Sequence, residues 1–385
     1  MNKKKLLFLI FHGIDSAGSG IHKKIKSQFQ ALKNIGINSS ISYLRTDDNN
    51  QYDGRLIDNQ LLEEYTTKFG IQKRWHWRFK FNRLLEYIIK ENINTVFIRY
   101  THFANPFFVN FLKKLNKLGV YVVMEIPTYP YDAEYKNTKQ IVNIAKQVEV
   151  FYRRSFNKYV DKIVTFSNAE EIFGVKTIKI NNGIDIDSIP LKTSTNYNNE
   201  IHLIAVASME LWHGYDRLIE GLKNYYSTEQ KIKVYLHFVG DSNNTESLKY
   251  KHLVDLYKLG SYILFHGFKH GAELDDLFNV SDIAIGCLGV HRKNITYIKS
   301  LKNSEYCARG IPFIYSEIDD LFENKSFILK VPADESPVDI NHVINFWQSN
   351  TFNPEKIRKL AEENLTWEKQ MQKVISQIFL FNEKL

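Results

Sequence analysis

Short apolar runs alternate along the chain with segments whose apolar positions recur at helical spacing. A strand covered on both faces carries little polar alternation, so the runs read as buried strands. In the first half they fall at Leu6–Phe11, Ser39–Tyr43, Thr95–Arg99, Tyr121–Glu125, Lys162–Phe166 and Thr177–Ile180. Helices are expected between them, including His22–Asn34, Arg78–Glu91, Pro106–Leu118 and Thr138–Lys158. After Asn182 the pattern restarts, with strands at His202–Ala207, Val234–Val239, Ile263–His266, Ile283–Cys287, Pro312–Tyr315 and Phe327–Val331. Alternation of this kind predicts parallel sheets flanked by helices, and the restart predicts two doubly wound, Rossmann-like α/β domains. The polar stretch Leu191–Glu200 reads as the linker, giving domains of residues 1–190 and 191–366. Ligands of doubly wound sheets bind beyond the carboxyl ends of the strands, so strand ends facing one cleft hold the residues of interest.

Composition narrows the class. With 385 residues the chain is long enough for two cores. No apolar run approaches the roughly 20 residues of a membrane span. The opening MNKKKLLFLIFHGI imitates a signal peptide but runs directly into a glycine loop, which favours a buried first strand. Two cysteines, Cys287 and Cys307, exclude a disulfide framework and fit a reducing cytoplasm. The net charge of +8 is uneven: residues 1–190 carry 29 basic and 18 acidic side chains, the remainder 22 and 25. A basic first half suits an anionic partner such as a membrane surface or a phosphate-bearing acceptor. Nucleic acid is disfavoured, because the sequence has no recognition helix, zinc spacing or ribonucleoprotein motif.

The stretch KSLKNSEYCARGIPFIYS, Lys299–Ser316, concentrates candidate chemistry. It places Glu305 near the start of a short helix that Gly310 and Pro312 close before a buried strand. A carboxylate there, beside Lys302, is placed to accept hydrogen bonds from a hydroxylated ligand, and the ribose of a sugar nucleotide fits best. In the first half, Gly18 and Gly20 of HGIDSAGSGIHKK let the backbone approach a ligand at a helix start. Lys23 occupies the third glycine position of a dinucleotide fingerprint, which weakens that reading. The stretch Lys73–Arg83 interleaves five cations with Trp75, Trp77, Phe79 and Phe81, a pattern suited to an anionic membrane interface. The loop MEIPTYPYDAEY offers Glu125 at a strand end as a catalytic or acceptor-orienting carboxylate, with Asp132 and Glu134 nearby.

From VDKIVTFSNAEE and VKTIKINNGIDIDSI onward, the chain resembles the GT-B glycosyltransferases, particularly the retaining family 4 type. Ser167 and Asn182-Gly183-Ile184-Asp185 hold the places of that family's strand-end serine and Asn-Gly-Val-Asp turn. The resemblance continues through ASMELWHGYDRLIEGL, HFVGD, ILFHGF and SDIAIG to Glu305, Gly310 and Pro312, which match the family's Glu-Ala-Met-Ala-x-Gly-x-Pro pattern. It also reads the helix after Leu365–Trp367, residues 367–385, as the terminal helix that returns to the first domain. The resemblance implies a nucleotide sugar on the second domain and a glycan or polyprenyl-linked acceptor on the first. Glu305 would then bind the ribose, backbone near Phe268 the base, and the glycine loop the diphosphate and sugar. Transfer would proceed without a cofactor or metal, in surface polysaccharide or glycoconjugate synthesis.

Three positions depart from that pattern. Tyr297 stands where the family has a second glutamate, Ser208 where it has an arginine and His213 where it has a lysine. The two missing cations ordinarily neutralise the leaving diphosphate, so the sequence points to Lys302, with Arg292 and His213, as replacements. His291 and Arg292 follow the strand that carries the donor-sugar loop and, with Glu125, are the candidate catalytic residues. His12 and His102 read as polar walls, and no residue is assigned as a covalent nucleophile. A catalytically silent subunit, a sugar nucleotide epimerase and a dinucleotide oxidoreductase are the competing classes.

Overall fold

The computed structural model describes residues 5–14, 20–47, 51–65, 76–132, 140–193, 199–241 and 243–379. The chain divides into two units, Met1–Gly183 with Trp367–Leu385, and Ile184–Thr366.

Unit 1 is built on a nine-stranded sheet of order β4-β3-β2-β1-β5-β6-β7-β9-β8. Its strands are β1 (Lys5–Ile10), β2 (Asn38–Thr46), β3 (Tyr52–Ile57), β4 (Gln60–Glu64), β5 (Thr95–Arg99), β6 (Tyr121–Ile126), β7 (Lys162–Thr165), β8 (Glu171–Ile172) and β9 (Val175–Lys179). Its helices are α1 (Gly20–Asn34), α2 (Asn82–Lys90), α3 (Pro106–Lys117), α4 (Gln140–Arg153) and α5 (Phe156–Tyr159), and the C-terminal α12 (Trp367–Phe379) joins them. β1 shows why the central strands lack alternation. Leu7 and Leu9 enter one hydrophobic core while Leu6, Phe8 and Ile10 enter another on the opposite face.

Helix boundaries follow capping chemistry. Asn105 accepts the free amides of Phe107 and Phe108, both at 2.9 Å, and Pro106 opens α3 where no donor is needed. The sheet is parallel from β2 through β9, but both ends turn antiparallel. The β3–β4 hairpin turns on Asp58 and Asn59, whose positive φ values of 47° and 69° suit a tight two-residue turn. This hairpin is absent from the sequence reading because β4 is half exposed and carries no apolar run. The helix expected over Thr138–Lys158 divides into α4 and α5, and the one expected from Arg78 begins at Asn82.

α12 packs its apolar side against the second of those cores through Trp367, Met371, Val374 and Ile378. A fully buried side chain of this kind contributes roughly 1.5–3 kcal/mol. Gly183 is required at this contact, since a Cβ there would lie 2.3 Å from the Trp367 ring.

Unit 2 holds a six-stranded, all-parallel sheet of order β12-β11-β10-β13-β14-β15. The strands are β10 (Glu200–Val206), β11 (Lys233–Val239), β12 (Ile263–Phe265), β13 (Ile283–Ile285), β14 (Phe313–Tyr315) and β15 (Ile328–Lys330). The helices are α6 (Tyr215–Tyr225), α7 (Thr245–Leu256), α8 (Ala272–Val280), α9 (Leu301–Arg309), α10 (Ile340–Ser349) and α11 (Pro354–Asn364). Both cysteines are buried in this unit.

Candidate functional site

The carboxyl ends of β10, β13 and β14 carry three short exit segments. β10 leads through a 3-10 turn, Leu211–His213, to Gly214, whose φ is 65°. Gly214 is obligatory: a Cβ would lie 2.6 Å from the Gly289 amide nitrogen in the segment that leaves β13. The two segments are stitched together, because the Leu288 and Gly289 amides donate to the His213 and Trp212 carbonyls at 2.8 and 3.2 Å. β14 exits through Ser316, Glu317, Ile318, Asp319 and Asp320.

α9 stands beside these ends. Ser300 caps it by accepting the Lys302 amide at 3.2 Å, and Gly310 ends it with φ 72°. A Cβ on Gly310 would lie 2.4 Å from the Pro354 carbonyl oxygen, which fixes glycine at that position. Glu305 lies in the middle of this nine-residue helix, not at the free amides of its amino end. Its carboxylate accepts Nε and Nη2 of Arg309, both at 3.3 Å, and remains part exposed.

Lys302, one turn earlier, donates Nζ to the Tyr215 hydroxyl at 3.1 Å. Burial lowers its pKa, while the fields of Cys287, Glu317 and Glu305 act in the opposite direction. Those three neighbours place the ammonium among the exits of β13 and β14. Lys293 adds a second cation, with Nζ 3.5 Å above the Trp212 ring. His213 feels both charges. Its Nδ1 accepts the Glu210 amide at 2.9 Å, so the ring proton sits on Nε2. Burial, then Lys302 and Lys293, press its pKa down to about 2. His213 is therefore a neutral donor and supplies no positive charge to a phosphate.

Arg292 also departs from its expected role. Nε donates to Glu335, Nη1 to the Leu211 carbonyl and Asp216, and Nη2 to Asp216 and Glu335. All five guanidinium N–H groups are thus committed, and none is left for a phosphate. His291 donates Nε2–H to Glu335 Oε1 at 2.8 Å, which makes both residues a brace for the segment leaving β13. Glu335 is held at about 2 by Arg292 and His291.

Tyr297 pairs with Ile318 in an isolated parallel bridge, and its hydroxyl donates to Asp320. An acid therefore stands beside the position where the sequence lacked one. Asp319 accepts Asn303 Nδ2 at 3.3 Å, and burial raises it to about 6. Glu317 is 2% exposed, finds no side-chain donor among the described residues, and burial with the Asp319 charge lifts it to about 7. Sequence reading missed this acidic trio because its members follow a strand whose apolar pattern is ordinary. Ser208 is exposed, with its carbonyl accepting Asn244 Nδ2. Phe268 follows β12 and is 74% exposed.

In unit 1, Gly20 is the first residue of α1, whereas Gly18 lies outside the described residues. Glu125 is a correction. It is fully buried, with Oε1 paired to Arg99 and Oε2 accepting Gln28 Nε2 at 2.6 Å. A carboxylate so enclosed acts as a counter-ion in the sheet and reaches no substrate. Asp132 is exposed and pairs with Arg153, while Tyr131, one residue before it, is buried and donates to Glu149 at 2.7 Å. Of the Lys73–Arg83 stretch, residues 73–75 lie outside the described residues. Trp77 and Phe81 are core residues, while Phe79 is exposed and meets the exposed Phe107 edge-on at 5.3 Å. Among the described residues, no helix is long and apolar enough to cross a membrane.

No family model and no curated relative matches the sequence. Solved structures match it over nearly its whole length. A glycosyltransferase from Rickettsia africae aligns with a TM-score of 0.64 at 15% identity, covering 98% of this chain and 99% of that one. The sucrose-phosphate synthase of Thermosynechococcus elongatus aligns with a TM-score of 0.67 at 15% identity and the same coverage. Anabaena HepE, solved in complex with UDP, aligns with a TM-score of 0.56 at 13% identity, covering 97% of this chain and 99% of that one. The fold is GT-B, with a doubly wound α/β sheet in each unit.

Proposed function

We propose that this chain is a glycosyltransferase. It takes a sugar from a nucleoside diphosphate donor bound by unit 2 and passes it, with retention, to a glycan or polyprenyl-linked acceptor bound by unit 1. The observation that carries the reading is Lys302 and Glu305 on consecutive turns of α9, beside the exits of β10, β13 and β14. The UDP held by Anabaena HepE, a protein of this fold, supports a uridine donor.

On this reading Glu305 accepts the ribose hydroxyls. Lys302, Lys293 and the His213 Nε2–H face the diphosphate, whose negative charge grows as the sugar departs. Tyr297 and Asp320 take the hydroxyls of the donor sugar in place of the usual glutamate. The leaving phosphate oxygen accepts the proton of the incoming hydroxyl, so no protein nucleophile is invoked. Lysines supply the neutralising charge, and EDTA should leave transfer unchanged.

We place the enzyme at the cytoplasmic face of a membrane, making surface polysaccharide or glycoconjugate. Ile144, Val148 and Phe151 lie exposed along one face of α4 near Lys146 and Arg154, which suits an anionic lipid surface. A catalytically silent subunit is the second reading, favoured by the full commitment of Arg292. A transfer assay with purified protein separates the two. Sugar transfer that falls with Lys302→Ala supports the enzyme, and donor binding without any turnover supports the silent subunit.

A further inference from the structure

A cavity lies at the other end of the unit 2 sheet. Asp282, just before β13, and Pro312, just before β14, line a space of about 450 Å³. That is the size of a small-molecule site. Two charged side chains in its wall are each more than nine-tenths buried, Lys192 at 8% and Asp282 at 6% exposure. Lys192 Nζ donates to the carbonyls of Asn279 at 2.7 Å and Phe278 at 3.4 Å, which leaves one N–H. Asp282 accepts the His202 amide at Oδ2, at 2.8 Å, and among the described residues Oδ1 receives no donor. Burial pulls Lys192 down to about 8 and pushes Asp282 up to about 6, each charge partly offsetting the effect on the other. No ion pair joins the two groups.

The remaining walls differ in kind. Trp347 and Phe352 present aromatic surface, while Gln348, Asn350 and Thr351 bring amide and hydroxyl groups. Asn350 gives its Nδ2 to the Phe346 carbonyl at 2.8 Å and keeps its oxygen.

We propose that this cavity is a carbohydrate-binding pocket that takes one pyranose ring of a glycan, separate from the donor site. Vicinal hydroxyls each donate and accept, so one ring can satisfy Asp282 Oδ1 and the remaining Lys192 N–H together. The C–H face of the ring matches the indole of Trp347. An apolar ligand would leave Asp282 Oδ1 and the remaining Lys192 N–H without a polar partner. A simple anion would suit Lys192 but face the Asp282 carboxylate. The pocket does not depend on the transferase reading, since it recognises sugar without nucleotide.

The test is saturation-transfer NMR and calorimetry on the full chain, with methyl pyranosides and short oligosaccharides and no nucleotide present. Thr351→Trp, on the exposed rim, should fill the mouth and weaken sugar binding by about tenfold or more. Thermal unfolding should stay unchanged, and Glu305→Ala should bind the same sugars normally. Gln348→Trp is the second variant if the first does not fold. The proposal fails if no pyranoside binds, if binding survives the rim variants, if Glu305→Ala abolishes it, or if an amino acid binds in place of sugars.

Discussion

At the residue scale, the distinction that matters is between charges already committed and charges still available. Arg292 and Glu125 looked like catalytic groups by position, yet each has every useful atom engaged. Their partners lie far away in sequence: Asp216 and Glu335 for Arg292, Arg99 and Gln28 for Glu125. No local pattern reveals such pairing. Glu305 and Lys302 stood out because a helical run, a glycine stop and a strand follow within one short stretch, but the run alone set Glu305 at the amino end, whereas it lies mid-helix. Truncating one partner of a buried pair costs about 3–5 kcal/mol, so Glu125→Ala should lower the unfolding midpoint sharply, as calorimetry would show.

Glu317 gives a prediction with a defined sign. Its folded pKa of about 7 exceeds the ordinary carboxyl value of 4.5, so the native state binds the proton more tightly than the unfolded chain. The stability it contributes is fully present below pH 4.5 and is lost as pH rises through about 7. Glu317→Gln should therefore flatten that part of the pH–stability profile and raise the unfolding temperature at pH 8. An unchanged profile would remove the claim that burial keeps this carboxyl protonated.

Among elements, the strands buried on both faces were plain in the sequence, as β1 and β5 show, because covering helices demand uninterrupted apolar runs. The β3–β4 hairpin and the short β8 were not, since β4 is half exposed and carries no apolar run and β8 is only two residues long. α4 illustrates the same limit in another way. Its exposed Ile144, Val148 and Phe151 share the spacing of a core-facing stripe, and only the structure shows that they are exposed among the described residues. If this face meets lipid, Ile144→Ser with Phe151→Ser should reduce sedimentation with anionic vesicles, each buried side chain having contributed roughly 1.5–3 kcal/mol. Equal sedimentation of the variant would exclude α4 from the contact. The Gly183–Trp367 contact predicts that Gly183→Ala destabilises unit 1 by forcing the indole from its seat, which thermal unfolding would record.

For the whole molecule, the account rests on unit 2 binding a nucleotide sugar through α9. The measurement that tests this most directly is calorimetric titration of UDP-sugars into the wild-type chain and Lys302→Ala, with the fold of each checked by thermal unfolding. A charge-assisted hydrogen bond contributes about 1.5–3 kcal/mol, so the variant should bind about ten- to a hundredfold more weakly. Glu305→Ala should lose a similar amount. A folded Lys302→Ala that binds the donor as tightly as wild type would contradict the account.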